Sequence, residues 1–141
     1  MDTSALAKRY LTETGSDELD IFLKPVSSLS ISRLTVVEMR CLLGRRRRNR
    51  EIEPSLERRM VAEFEGDIAR GILEVYPLDD QHAIRARQLL GRLANIPLRA
   101  LDAIHLAIAV EIGAQAIATA DQTFAAAARA LRLHVDWFGE K

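Results

Sequence analysis

Cysteine, aromatic residues and long apolar runs are scarce in this chain of 141 residues. The single cysteine, Cys41, excludes an intrachain disulfide and a metal site built from several cysteines, and it fits a reducing cytoplasm. No apolar run approaches the ~20 residues of a membrane helix, and Asp2, Lys8 and Arg9 interrupt any signal-peptide core. We therefore expect a cytoplasmic protein without a membrane segment, whose core is filled by aliphatic side chains and alanine.

A net charge of either sign is also missing, because Lys+Arg and Asp+Glu both total 20. Overall charge therefore gives no sign of a nucleic-acid partner, although local clustering could. The length fits one domain with a real core. We find no internal repeat and no low-complexity linker, so a single domain over 1–141 is expected.

Helices and strands alternate along the chain, most clearly in its second half. Helices are predicted over 4–13, with Thr3 or Ser4 as N-cap, and over 16–24, 35–48, 54–70, 80–93, 99–112 and 122–131; strands are predicted over 26–31, 72–76, 116–119 and 133–136. This order predicts an α/β fold with a parallel sheet flanked by helices. Ligands of such folds bind beyond the carboxyl ends of the strands.

Four acidic residues lie within or beside apolar stretches: Asp2, Glu38, Asp102 and Asp121. A buried carboxylate without a partner is costly, so such acids tend to be paired, hydrogen-bonded or bound to metal. If the fold gathers all four, they form an all-oxygen site suited to Mg²⁺ or Mn²⁺. The combination indicates a metal-dependent phosphodiesterase, most simply a ribonuclease.

Each acid also has a structural interpretation. Asp102 in the first turn of its helix would complement the helix dipole. Glu38 would close a capping box begun by Thr35, and Asp121 would cap the helix that follows it. Asp2 would be an ordinary charge ahead of the first helix. No single acid decides between the two interpretations, but the combination favours the metal site.

The only dense charge cluster is Arg45–Arg48, followed by Arg50. It either contacts the phosphate backbone of RNA or is a solvated helix end that complements the dipole. His105 shares a helix face with Asp102 and could orient it, but a buried, hydrogen-bonded histidine is the simpler interpretation. His82 and His134 have no spacing typical of metal ligands.

Four motifs, in this order, resemble those of PIN-domain ribonucleases, and most closely the VapC-type toxins of bacterial toxin–antitoxin pairs. They are Asp2-Thr-Ser-Ala-Leu6, Thr35-Val-Val-Glu38, Leu98-Arg-Ala-Leu-Asp-Ala-Ile-His-Leu106 and Thr119-Ala-Asp121. Leu131-Arg-Leu-His-Val135 also looks like the closing strand of that family. The resemblance therefore covers nearly the whole chain.

The resemblance implies a three-layer fold with an acidic cleft at one edge of the sheet. In it Asp2, Glu38, Asp102 and Asp121 match the metal-binding acids of the family, and Ser4 and Thr119 match small hydroxyl residues near the metals. It implies cleavage of RNA with Mg²⁺ or Mn²⁺, a homodimer, and a cognate antitoxin protein whose tail covers the cleft. The chemistry needs no covalent nucleophile, because the metals activate water and neutralise phosphate charge.

One feature departs from the family pattern. A short apolar strand normally precedes the first Asp, whereas here only Met1 does, and a strand needs at least ~3 residues. We expect the natural chain to start upstream of Met1 and the first strand to be truncated in this sequence. Loss of the first strand would weaken metal binding by Asp2. It therefore favours an alternative function, a catalytically inactive binding module whose acidic cleft holds a basic partner tail. A receiver-like phosphotransfer domain ranks last, because no lysine lies on a late strand.

Overall fold

The computed structural model describes residues 1–140 and places helices around two pairs of parallel strands. The helices are α1 (Thr3–Leu6), α2 (Ser16–Leu23), α3 (Arg33–Arg48), α4 (Pro54–Ala69), α5 (Asp80–Arg92), α6 (Ala100–Glu111) and α7 (Gln122–Ala130). The strands are β1 (Leu29–Ser32), β2 (Leu73–Tyr76), β3 (Ala116–Thr119) and β4 (His134–Trp137), and a 3₁₀ turn, Ala7–Arg9, continues α1. The predicted α/β architecture with parallel strands is confirmed.

The strands form two separate pairs, not the single sheet that the alternation predicts. β1 pairs with β2 and β3 pairs with β4, both in parallel. The first residues of the chain bridge the two pairs: the Met1 amine donates to the Ser30 carbonyl at 2.8 Å, and the Asp2 amide donates to the Ala118 carbonyl at 3.1 Å. A cavity of about 290 Å³, lined by residues of both β1 and β3, lies in the gap.

Two helices, α1 and α3, depart from their predicted ends by more than one residue. α1 is capped by Asp2 and not by Thr3 or Ser4, and helical geometry ends at Arg9 instead of reaching residue 13. The side chain of Ser32 caps α3 by accepting a hydrogen bond from the Thr35 amide at 3.1 Å. Thr35 is therefore inside the helix, and the capping-box interpretation of Glu38 is wrong. β3 has the predicted bounds, and α4 differs by one residue.

Two main groups of buried side chains form the core, as expected for a chain poor in aromatics. One lies among α5, α6 and α7 and is rich in small residues, for example Ala103, Ala107 and Ala127, around Phe124. The other packs α3 and α4 against β1 and β2 around Met39. Alanine on facing helices allows close approach, so the aliphatic packing needs few bulky rings.

Asp67 on α4 is 1% exposed and binds the segment that follows α1. Its carboxylate accepts hydrogen bonds from Arg9 Nε at 2.8 Å, the Tyr10 hydroxyl at 2.7 Å and Arg70 at 2.5 Å. Burial alone acts to raise the pKa of Asp67, but the hydrogen bonds from Arg9 and Tyr10 outweigh it and lower the pKa. A buried charge is tolerated because it is paired on several sides.

Candidate active site

The four acids predicted from the sequence line one cleft of about 430 Å³. Asp2 comes from the start of α1, Glu38 from α3, Asp102 from the first turn of α6, and Asp121 from the turn after β3. The side chains that share the cleft with them are Thr3, Ser4, Cys41, Leu42, Arg45, Arg48, Arg99 and His105. Four separate elements therefore bring their carboxylates to one concavity.

Asp2 is held by the first turn of the chain. Its carboxylate accepts hydrogen bonds from the Ala5 amide at 3.2 Å and from the Ser4 hydroxyl at 2.9 Å. Ser4 Oγ in turn lies 3.2 Å from Thr119 Oγ1 and accepts a hydrogen bond from the Ala120 amide. Burial raises the pKa of Asp2 above its ordinary value despite these hydrogen bonds.

The two hydroxyl residues singled out by the resemblance, Ser4 and Thr119, connect α1 to the end of β3. Ser4 lines the cleft, whereas Thr119 is fully buried behind it and accepts a hydrogen bond from the Asp121 amide at 3.0 Å. They fix the separation of Asp2 and Asp121.

Glu38 is the acid with the most extensive support from protein side chains. Its Oε2 lies 2.8 Å from His105 Nε2 and accepts a short hydrogen bond from the Thr3 hydroxyl. Desolvation acts to raise the pKa of Glu38, but the hydrogen bonds from His105 and Thr3 outweigh it and lower the pKa. Glu38 is therefore kept ionised.

His105 is buried, and both of its ring nitrogens are hydrogen-bonded, which confirms the simpler interpretation of this residue. Nδ1 lies 2.9 Å from the Ser32 hydroxyl, and the ring packs edge-on against Phe124. The partner of His105 is Glu38, and not Asp102 as its place on α6 suggests. Sequence spacing points to Asp102, because the contact with Glu38 joins two helices that are remote in sequence.

Asp102 and Asp121 face each other as like charges. Burial raises the pKa of Asp102, and the charge of Asp121 raises it further, while Arg99 acts in the opposite direction. Asp121 also caps α7, because its Oδ1 accepts from the Phe124 amide at 2.9 Å. The cap interpretation of Asp121 is confirmed, and it leaves the carboxylate at the cleft.

The donor set fits a hard divalent cation. Within residues 1–140, no Lys or Arg nitrogen lies within 4 Å of the carboxylates of Asp2, Asp102 or Asp121, although burial disfavours the ionised forms of Asp2 and Asp102. A bound Mg²⁺ or Mn²⁺ would relieve this cost, since both ions prefer carboxylate oxygen. No three of the cleft acids have ligand atoms within 4.8 Å of one another, so an ion bound directly by three of them would need these side chains to draw together.

The family model of the PIN domain matches residues 1–130, which include all four acids. The chain belongs to the PIN-domain family. PIN domains are generally metal-dependent nucleases, so the match supports a nuclease-type function for the acidic cleft. A search of curated proteins finds no significant match. Among residues 1–140 of this PIN domain, no helix combines the length and the apolar character that a membrane crossing requires.

A second group of potential metal ligands in this PIN domain escaped the sequence analysis. Asp79, His82 and Glu111 have ligand atoms within 4.8 Å of one another, the single such trio found in residues 1–140. Asp79 and His82 form a capping box at the start of α5, and His82 Nε2 lies 3.4 Å from Glu111 on α6. The spacing of Asp79 and His82 was the only available signal, because Glu111 joins them only when α5 packs on α6.

This trio already has partners within the protein. The Asp79 amide donates to His82 Nδ1 at 3.1 Å, and Arg85 pairs with Glu111 at 3.0 Å. Glu111 is nine residues from Asp102, which places the trio about 13 Å along α6 from the cleft. Its bonding therefore indicates a connection between α5 and α6, and the cleft remains the candidate active site.

Proposed function

We propose that this PIN domain is an endoribonuclease that depends on Mg²⁺ or Mn²⁺, with Asp2, Glu38, Asp102 and Asp121 as its metal ligands. The observation that carries the proposal is the meeting of four carboxylates from four elements in one cleft, none of them within 4 Å of a Lys or Arg nitrogen in residues 1–140. Acids arranged in this way suit a phosphodiester substrate only with a cation, because bare carboxylates repel phosphate.

The protein's own side chains would prepare the site. His105 and Thr3 hold Glu38 ionised and fixed, and Ser4 orients Asp2. Asp102 and Asp121 would contribute charge from the other side of the cleft. A bound divalent ion would supply an activated water and neutralise charge on the phosphate. Hydrolysis by water predicts products with a 5′-phosphate and a 3′-hydroxyl.

The biological setting we propose is that of a cytoplasmic toxin controlled by an antitoxin protein. Val37 and Leu101, which precede Glu38 and Asp102 in the chain, are 57% and 46% exposed. Exposed apolar side chains that adjoin the cleft acids in sequence suit a partner with a mixed apolar and basic tail. We also propose a homodimer, on the resemblance to VapC-type toxins alone.

A second candidate function is a binding module whose cleft holds a basic tail and cleaves nothing. It is favoured by the spread of the carboxylates, since no three of them approach within 4.8 Å. A lysine or arginine side chain could bridge acids at this spacing without drawing them together. The nuclease needs a metal ion in the cleft, whereas the binding module does not.

Cleavage of a labelled RNA panel with Mg²⁺, Mn²⁺ or EDTA separates these functions. The parent protein is compared with Asp102→Asn and with Asp20→Asn, a control that removes an exposed carboxylate from α2. Metal-dependent cutting by the parent and the control, but not by Asp102→Asn, supports the nuclease. Absence of cutting by folded parent protein favours the binding module, and 2′,3′-cyclic phosphate ends would contradict hydrolysis by metal-activated water.

A further inference from the structure

The four arginines that end α3 divide into two pairs with different surroundings. Arg46 forms ion pairs with Glu13 at 3.0 Å and with Glu51 at 2.7 Å, and Arg47 pairs with Glu57 at 2.6 Å. Arg45 and Arg48 are exposed, and neither has a carboxylate within 4 Å in the part of the chain that the structure describes. Only the second pair therefore has its charge available for an outside partner.

Arg45 and Arg48 lie on the same face of α3 as Glu38. With 3.6 residues per turn, positions 38, 45 and 48 fall within about 80° of one another around the helix axis. All three side chains line the acidic cleft. Along the axis, Arg45 is about 10 Å and Arg48 about 15 Å from Glu38. The cleft therefore passes from acidic to basic along a single helix.

Gly44 leaves space for Arg48 to lie back along α3. A Cβ built on Gly44 would come within 3.3 Å of Arg48 Nη1, which shows how closely the guanidinium passes over this helical turn. Arg99 adds a third exposed cation from the other side of the cleft, at the start of α6 and near Asp102. No carboxylate of residues 1–140 lies within 4 Å of the Arg99 guanidinium.

We propose that Arg45, Arg48 and Arg99 form a phosphate track that holds single-stranded RNA on the side of the scissile bond nearest the end of α3. The inference rests on the proposed nuclease function, because it takes the acidic end of the cleft as the site of cleavage. Guanidinium groups bind phosphate by paired hydrogen bonds. Two exposed cations along α3 and a third at the start of α6 suit a single backbone, which a positively charged groove can follow.

A solvated helix end would not divide the arginines in this way. All four residues of the run can complement the negative end of the α3 dipole, so that effect does not distinguish them. The distinction comes from pairing: Arg46 and Arg47 are committed to Glu13, Glu51 and Glu57. RNA contact is therefore assigned to half of the run, plus an arginine that is remote from it in sequence.

The test measures binding of a fluorescent oligouridylate as a function of salt, in the Asp102→Asn background and without metal, so that cleavage plays no part. Arg45→Gln with Arg48→Gln is compared with Arg58→Gln and Arg59→Gln, an exposed pair on α4 outside the cleft. Both double variants remove the same charge. Arg99→Gln is measured separately.

Losing two phosphate contacts should reduce the slope of log K against log salt by about 1.4, and losing Arg99 by about 0.7, as for single strands. The α4 pair should leave the slope unchanged. An unchanged slope in the Arg45/Arg48 variant, an equal drop in both double variants, or no RNA binding by the parent would each overturn the track. A lower slope in the Arg45/Arg48 and Arg99 variants but not in the α4 variant, together with no cleavage by the parent protein, would support the phosphate track and reject the nuclease.

Discussion

His105 on α6 contacts Glu38 on α3 through Nε2 and Oε2 at 2.8 Å, and so joins the two main groups of core residues at the cleft. The histidine is buried and is fixed at its other nitrogen by Ser32. Glu38 therefore owes its position to a residue whose own partners lie in the core. Packing and the candidate active site are coupled at this point.

Replacing His105 should weaken both stability and the cleft. His105→Ala leaves Ser32 and Glu38 without their partner, and we expect a loss of ~1–3 kcal/mol in the free energy of unfolding. Because Glu38 is no longer held, Mn²⁺ should bind more weakly, as followed by calorimetry. His105→Gln, which can still donate to Glu38, should recover part of the affinity. Equal affinity in the parent and His105→Ala would show that His105 does not position Glu38.

Asp102→Asn should abolish cleavage while raising stability. Burial and the neighbouring charge of Asp121 raise the pKa of Asp102, so its ionised form destabilises the folded state at neutral pH. Removing this charge should increase the melting temperature in EDTA by ~1–4 °C, equivalent to about 1 kcal/mol or less. Thermal unfolding at pH 7 and at pH 4 checks the sign, since the gain should shrink as the parent Asp102 becomes protonated. A lower melting temperature for Asp102→Asn at pH 7 would contradict it.

Protonation of Asp67 should lower the free energy of unfolding in acid. Its pKa is lowered in the folded state, so its contribution is complete above the unfolded value of about 3.9 and is lost as the pH falls through the folded value. Asp67→Asn should cost ~1–3 kcal/mol at pH 7, because Arg9 and Arg70 are partly exposed and solvent weakens their pairing. Urea unfolding from pH 7 to pH 2.5 measures both effects.

The parent and Asp67→Asn curves should begin to converge as the pH falls below about 4 and should meet below the folded pKa of Asp67. Asp20→Asn, which removes an exposed acid, serves as the control and should follow the parent throughout. Parallel curves for the parent and Asp67→Asn across this range would exclude Asp67 as a source of acid sensitivity.

The gap between β1 and β3 should accept an additional strand. Joining four valines ahead of Met1 would let new backbone pair with both strand edges and fill the cavity of about 290 Å³. It would also replace the buried Met1 amine, whose pKa is lowered by desolvation, with an uncharged amide. We expect a higher melting temperature than for the parent. An extension of four alternating Gly and Ser residues is the control, and an equal effect of both extensions would exclude strand insertion.

The sequence was sufficient for features that local patterns determine. The bounds of β3 and the cap formed by Asp121 follow from short-range signals, and both are confirmed. The expectation that Glu38, Asp102 and Asp121 lie near one edge follows from a rule of parallel α/β folds, in which ligands bind beyond the carboxyl ends of the strands; Asp2 follows no strand and lies outside that rule. Local chemistry and topology together were enough to locate the cleft.

Other features depended on packing that the sequence does not reveal. Whether His105 meets Glu38 or Asp102 is decided by the contact between α6 and α3. The trio Asp79, His82 and Glu111 exists only because α5 and α6 lie side by side. The capping box expected at Thr35 failed because Ser32, three residues earlier, begins α3. In each case two segments remote in sequence, or two competing local caps, determined the outcome.

Cys41 lies on α3 within the cleft, is exposed, and is the only cysteine of the chain. A thiol-specific dye or nitroxide would therefore attach at one defined point, between Glu38 and Arg45 along the helix. No background cysteines need to be removed before labelling. A reporter there would sense nucleotides, metal ions or a protein tail entering the cleft, so occupancy could be followed in real time even for ligands that are never cleaved.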